Sequence, residues 1–140
     1  MQKIEPKDEE YLFDGRVIIS QSDKDGIITF ANRKFCEVSS YSINELLGKP
    51  HSILKHPDMP KALFKEMWSS LKDGQMWNGI VKNIRRDGMY YWFDVEISPT
   101  YNEKNELTGY ISINKQASQK SIKQSENLYK KMISKQEENQ

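Results

Sequence analysis

Lys55-His56-Pro57-Asp58-Met59-Pro60 opens a helix, and Met76-Trp77-Asn78-Gly79-Ile80-Val81-Lys82-Asn83 follows as a strand. Pro60 suits the first turn of a helix, where its missing N–H leaves no hydrogen bond unmade. Asp58 or Met59 is then the N-cap, and Asp58 is the better acceptor for the orphan amides. Leu63, Phe64, Met67, Trp68 and Leu71 recur at helical spacing and form one apolar face. The expected helix runs from about Met59 to Lys72, and Gly74 stops it. A turn, a capped helix and a strand that carries a large aromatic are the parts of a ligand-pocket wall.

Outward from this unit the chain alternates strand and turn. Arg16–Ser20 and Ile27–Phe30 are β-branched runs joined by Asp23-Lys24-Asp25-Gly26, which predicts a hairpin. Asn32 can cap a short helix over residues 33–39, and Ser42 with Glu45 three residues on is a capping-box pattern. Strands are expected at about 76–86, 89–99 and 107–115. In the second of these, Tyr91, Phe93, Val95 and Ile97 share one face, while Tyr90, Trp92, Asp94 and Glu96 share the other. In the third, Gly109, Ile111 and Ile113 share a face. The order predicts an α+β domain: a five-stranded antiparallel sheet with helices on one face and a ligand pocket between. An N-terminal cap is expected over 1–14, the main domain over 15–116, and a C-terminal linker helix over 117–140. That helix has a thin apolar stripe of Ile122, Tyr129, Met132 and Ile133 and needs a partner surface.

Composition narrows the function. The 140 residues carry a net charge of +1, which gives no reason to expect nucleic acid. No apolar run approaches the ~18 residues of a membrane span, and the first ten residues lack the apolar core of a signal peptide. Cys36 is the single cysteine, so no internal disulfide forms and a reducing compartment is expected. Two histidines and one cysteine at no fixed spacing make no metal site. No nucleophile–base pair, phosphate loop or paired-acid motif is present, so no enzyme is expected.

Asp25-Gly26-Ile27-Ile28-Thr29-Phe30-Ala31-Asn32, Phe35, Ser40-Tyr41-Ser42, Glu45-Leu46-Leu47-Gly48 and Arg85-Arg86-Asp87-Gly88 with Tyr91-Trp92 resemble the PAS family over residues ~15 to ~115. Gly48-Lys49-Pro50-His51, the Lys55–Pro60 run, Met67-Trp68 and Trp77–Asn83 resemble more narrowly the sensor domain of bacterial aerotaxis receptors and related energy-taxis proteins. The resemblance implies a non-covalently bound FAD, redox sensing and output to a chemotaxis transducer, on a separate chain or in another part of the same one. It also implies a cytoplasmic location, at the inner membrane face through a partner, with a second copy of the domain as another partner. The subgroup carries arginine before its histidine where this chain has Lys55, which keeps the charge but loses the planar fork. Photoreceptors of the LOV type carry a cysteine beside the flavin, and His51–His56 has none.

The residues that the resemblance places at the cofactor are Asn32, His51, Lys55, His56, Asp58, Trp68, Trp77 and Asn83. Trp77 and Asn83 are an even number apart, so a regular strand puts both on one face. Gly79 between them then leaves room for a flat ligand. An inward amide needs a partner, which an isoalloxazine edge offers. His56, Lys55 and Asp58, where the helix begins, suit phosphates. His51 could contact cofactor or ligate haem. Trp92 on the outer sheet face is expected to meet a protein partner, or else to be covered by Tyr11–Phe13. Two other readings remain: a PAS module with a filled pocket that only docks proteins, and a haem or small-metabolite sensor.

Overall fold

In a computed structural model, which describes residues 3–138, the chain forms five strands and four α-helices. They are β1 (Ile18–Asp23), β2 (Ile28–Ala31), α1 (Arg33–Ser39), α2 (Ile43–Leu46), α3 (Lys61–Lys72), β3 (Trp77–Ile84), β4 (Tyr90–Tyr101), β5 (Leu107–Gln116) and α4 (Gln119–Glu138). A 3₁₀ turn covers His51–Leu54. The sheet is antiparallel throughout, in the order β2-β1-β5-β4-β3. The extreme ends of the expected cap and linker, residues 1, 2, 139 and 140, lie outside the described residues.

Local chemistry sets most boundaries. Gly26 closes the first hairpin at φ +81°, where a side chain would be strained. The Asp23 carboxylate accepts from the amides of Asp25 and Ile27, an Asx turn. Asn32 caps α1 by accepting from Phe35 N at 3.0 Å, and Ser42 and Glu45 complete the capping box of α2. The start of α3 differs from expectation. Its N-cap is Pro60, which offers no side-chain bond. The Asp58 carboxylate turns instead to the Lys82 ammonium, 3.5 Å away.

Helices α1 to α3 cover one face of the sheet. The other face is covered at its β3–β4 side by α4, whose Tyr129 hydroxyl donates to the Ile80 carbonyl. Ile122 and Tyr129 of α4 join Trp92 in one apolar cluster. This overturns the expectation of Trp92 as a docking residue, because it is only 3% exposed. The alternative cover does not hold either: Phe13 packs on the opposite face, 6.4 Å from the Tyr91 ring and 5.6 Å from Phe93. The N-terminal segment is tied down by backbone pairing to the start of β4, with Tyr11 N donating to Tyr90 O and Tyr90 N to Glu9 O.

Trp92 therefore carries stability. Trp92→Ala is expected to cost about 3–5 kcal/mol of unfolding free energy, measured by urea denaturation. A loss below about 1 kcal/mol contradicts the packing described.

Candidate functional site

Between the sheet and α3 lies a partly open cavity of about 320 Å³, within the range of ligand pockets. Its walls follow from two periodicities. Phe64, Met67, Trp68 and Leu71 of α3 point in at helical spacing. Val81 and Asn83 of β3, with Phe93, Val95 and Ile97 of β4, point in at a spacing of two. On β5 the inward residues are Tyr110, Ser112 and Asn114. The expected face of Gly109, Ile111 and Ile113 is therefore the outer one.

The cavity has apolar flat walls and two polar sides. On β3, the Asn83 side chain is 8% exposed. Its amide lies beside the Tyr91 hydroxyl. On β1 and β5, Ser20 shares a hydrogen bond with His51 Nε2 at 3.3 Å, and Ser112 Oγ donates to Asn114 Oδ1 at 2.9 Å. The Asn114 amide donates in turn to the Ile18 carbonyl at 3.2 Å. His51 is placed by its backbone, whose N–H donates to Gly26 O at 3.1 Å. Surrounding protein strips water from its ring and lowers its pKa from 6.5 to about 4, so the imidazole is neutral near pH 7. Lys55 is the lining cation, its ammonium 4.9 Å from the centre of the Phe64 ring.

A family model for the PAS fold matches residues 16–115. The chain belongs to the PAS family. This PAS domain is 44% identical over 119 residues to the aerotaxis receptor of Escherichia coli strain K12, covering 85% of this chain and 23% of that protein. It is 35% identical over 102 residues to the nitrogen fixation regulatory protein of Klebsiella pneumoniae, covering 73% and 21%. The chain thus spans less than a quarter of either relative. Among solved structures, an RNA-binding light-oxygen-voltage receptor superposes with a TM-score of 0.70 at 23% identity, over 82% of this chain and 35% of that one. The dark structure of the blue-light photoreceptor Aureochrome1 LOV gives 0.65 at 18% identity, over 89% and 86%. These two likenesses show the fold.

Of the eight residues expected at the cofactor, the PAS pocket gathers His51, Lys55, Trp68 and Asn83 into its lining. The other four lie elsewhere. Asn32 is occupied as a cap and clasp, its amide donating to Val17 O at 2.8 Å and its oxygen accepting from Ile19 N at 3.2 Å. His56 is buried against the Tyr90 ring, and its Nδ1 accepts from Asp58 N at 3.0 Å. The Asp58 side chain is 72% exposed. The Trp77 indole lies over Gly79 so closely that an added Cβ would meet it at 2.2 Å. The room that Gly79 leaves is thus taken by Trp77 itself. The residues missing from the sequence reading are Ser20, Ser22, Ser112 and Asn114. Their signal was present: small polar residues at a spacing of two in strands otherwise rich in isoleucine.

His51 makes folding pH-dependent. Its folded pKa lies below its ordinary value, so the unfolded chain binds a proton that the folded one refuses between pH 6.5 and 4. The stability is full above pH 6.5 and falls as pH drops through that window, by about 2 kcal/mol between pH 7 and 5. Burial lowers the pKa of His56 as well, so the contrast of wild type with His51→Gln isolates His51. The variant is expected to lose less stability on acidification, measured as urea midpoints at both pH values. An unchanged pH dependence contradicts the burial of His51.

Proposed function

We propose that this PAS domain binds FAD non-covalently, with the isoalloxazine ring in the cavity, and reports redox state to a chemotaxis transducer. The observation that carries the reading is Asn83: a buried amide that lines the pocket wall beside the Tyr91 hydroxyl. An amide has more hydrogen-bonding groups than one hydroxyl can meet, and a group left unpaired in a closed pocket costs about 1–3 kcal/mol. A ring edge with both donors and acceptors pairs it, and the opposite side, Ser20, His51, Ser112 and Asn114, offers more polar contacts. Phe93, Val95, Val81, Met67 and Trp68 suit the faces of a flat ring. Lys55 suits the phosphates. The 44% identity to an aerotaxis receptor supports the same reading.

When bound, the flavin supplies the electron exchange; the protein supplies binding and orientation. Asn83 and the His51–Ser20 pair hold the groups whose hydrogen bonds must change with the ring's protonation. Asn83 and Ser20 belong to the sheet on which α4 rests, so α4 is the proposed exit for the signal. Residues 15–116 are the proposed sensor unit, with 117–140 as its output and 1–14 as its cap, and a second copy is a proposed partner. A haem reading has one point in its favour, a neutral histidine in the lining. Against it, His51 Nε2 is already engaged by Ser20.

Titrating the apoprotein with FAD and with riboflavin tests the placement. Asn83→Ala is expected to weaken both by about 1–3 kcal/mol. Lys55→Met is expected to weaken FAD and leave riboflavin unchanged, because only FAD carries phosphates. Equal affinities in wild type and Asn83→Ala, or equal losses of the two ligands in Lys55→Met, contradict the reading.

A further inference from the structure

Beside Asn83 the interior holds two buried tyrosines. Tyr91 is 0% exposed and Tyr41 is 4% exposed, yet neither hydroxyl has a hydrogen-bond partner. Buried hydroxyls are rarely left so, and each one calls for an explanation. Both lie at one end of β3. Tyr91 is the register partner of Asn83 across the β3–β4 pair, and their side chains share the inward face. Tyr41 is brought there by the loop after α1. Arg86 N donates to Ser39 O at 3.1 Å and Arg85 Nη1 to Val38 O at 2.8 Å, which docks that loop on the residues just past Ile84. Tyr41 N in turn donates to Ser39 Oγ at 3.4 Å.

We propose that Tyr91 is a positioning residue for the pocket ligand: its hydroxyl, joined to Tyr41 through a buried water, holds the Asn83 amide toward the cavity. The proposal rests on the flavin reading for the ligand's identity and on the two orphaned hydroxyls for the rest. Two hydroxyls are enough partners for one buried water. In this arrangement the Tyr91 hydroxyl is a fixed donor to the Asn83 amide oxygen, and the water accepts from Tyr41 and donates to Tyr91. Without it Asn83 can turn over, exchanging its oxygen for its nitrogen at the ligand edge. Burial raises the pKa of Tyr91, outweighing the lowering by the neighbouring Asn83 side chain and by the charge of Arg85. Its hydroxyl therefore keeps its proton across the physiological range, as a fixed donor must.

The test uses Tyr91→Phe and Tyr41→Phe, which keep the rings and remove only the hydroxyls. In ligand-free protein labelled at asparagine nitrogen, the side-chain amide signals of Asn83 are assigned by their loss in Asn83→Ala. Tyr91→Phe is expected to shift or broaden that pair while backbone amide signals away from the site stay in place, and Tyr41→Phe to move it in the same sense by less. Bound FAD is then expected to be held about tenfold more weakly in Tyr91→Phe, as for one lost hydrogen bond. Unchanged Asn83 signals in Tyr91→Phe overturn the proposal. So does a shifted pair with FAD affinity unchanged, since Tyr91 would then orient Asn83 to no purpose at the ligand. If wild type binds no FAD, the flavin reading fails by itself, and the amide signals still decide what Tyr91 does to Asn83.

Discussion

The structure depends on the two-residue alternation along β3. This strand has β4 on one side only. Its other edge is partly taken up by the segment before α3, where Lys55 pairs with Asn83 and His56 N donates to Lys82 O at 3.2 Å. Pinned on both edges, β3 presents Val81 and Asn83 to the cavity and Ile80 and Lys82 to the other face. A slip of one residue would exchange them, placing an ammonium among the apolar walls and the amide outside. Lys82 confirms the register from its own side. It lies 4.5 Å from the centre of the Tyr90 ring, 5.9 Å from that of Trp92, and 3.5 Å from the Asp58 carboxylate.

Much of this was legible where the physics is local. The Asp23–Gly26 turn, the Asn32 cap, the Ser42–Glu45 capping box and the face shared by Tyr91, Phe93, Val95 and Ile97 each follow from residues within a few positions. What was not legible required a partner far along the chain. Nothing near Asp58 in sequence shows Lys82, which draws its carboxylate away from the cap across the strand edge. The stripe on α4 does not say which surface it covers, so the burial of Trp92 is invisible in the sequence. Gly79 is a third kind of case. A glycine on a strand opens a slot, and the sequence is silent on whether a ligand or the neighbouring Trp77 takes it.

The candidate site divides the same way. His51, Lys55, Trp68 and Asn83 were identified and line one cavity. The polar side on β1 and β5 was missed because Ile111 and Ile113 dominate the reading of β5, and their phase is opposite to that of Ser112 and Asn114. Cover on both faces also bears on output. The cavity and α4 press on opposite sides of β3, with only the strand between Asn83 and the Tyr129–Ile80 contact. Under the proposed function, hydrogen bonds rearranged at Asn83 have a short path to α4.

The central claim, that the cavity holds a flavin, is tested most directly by the visible spectrum of the protein as purified. The account predicts an absorption band at roughly 450 nm, a property of the flavin itself, bleached by a reductant and restored by air, with FAD released on denaturation. A haem Soret band, or protein that stays colourless after incubation with excess FAD, would contradict it.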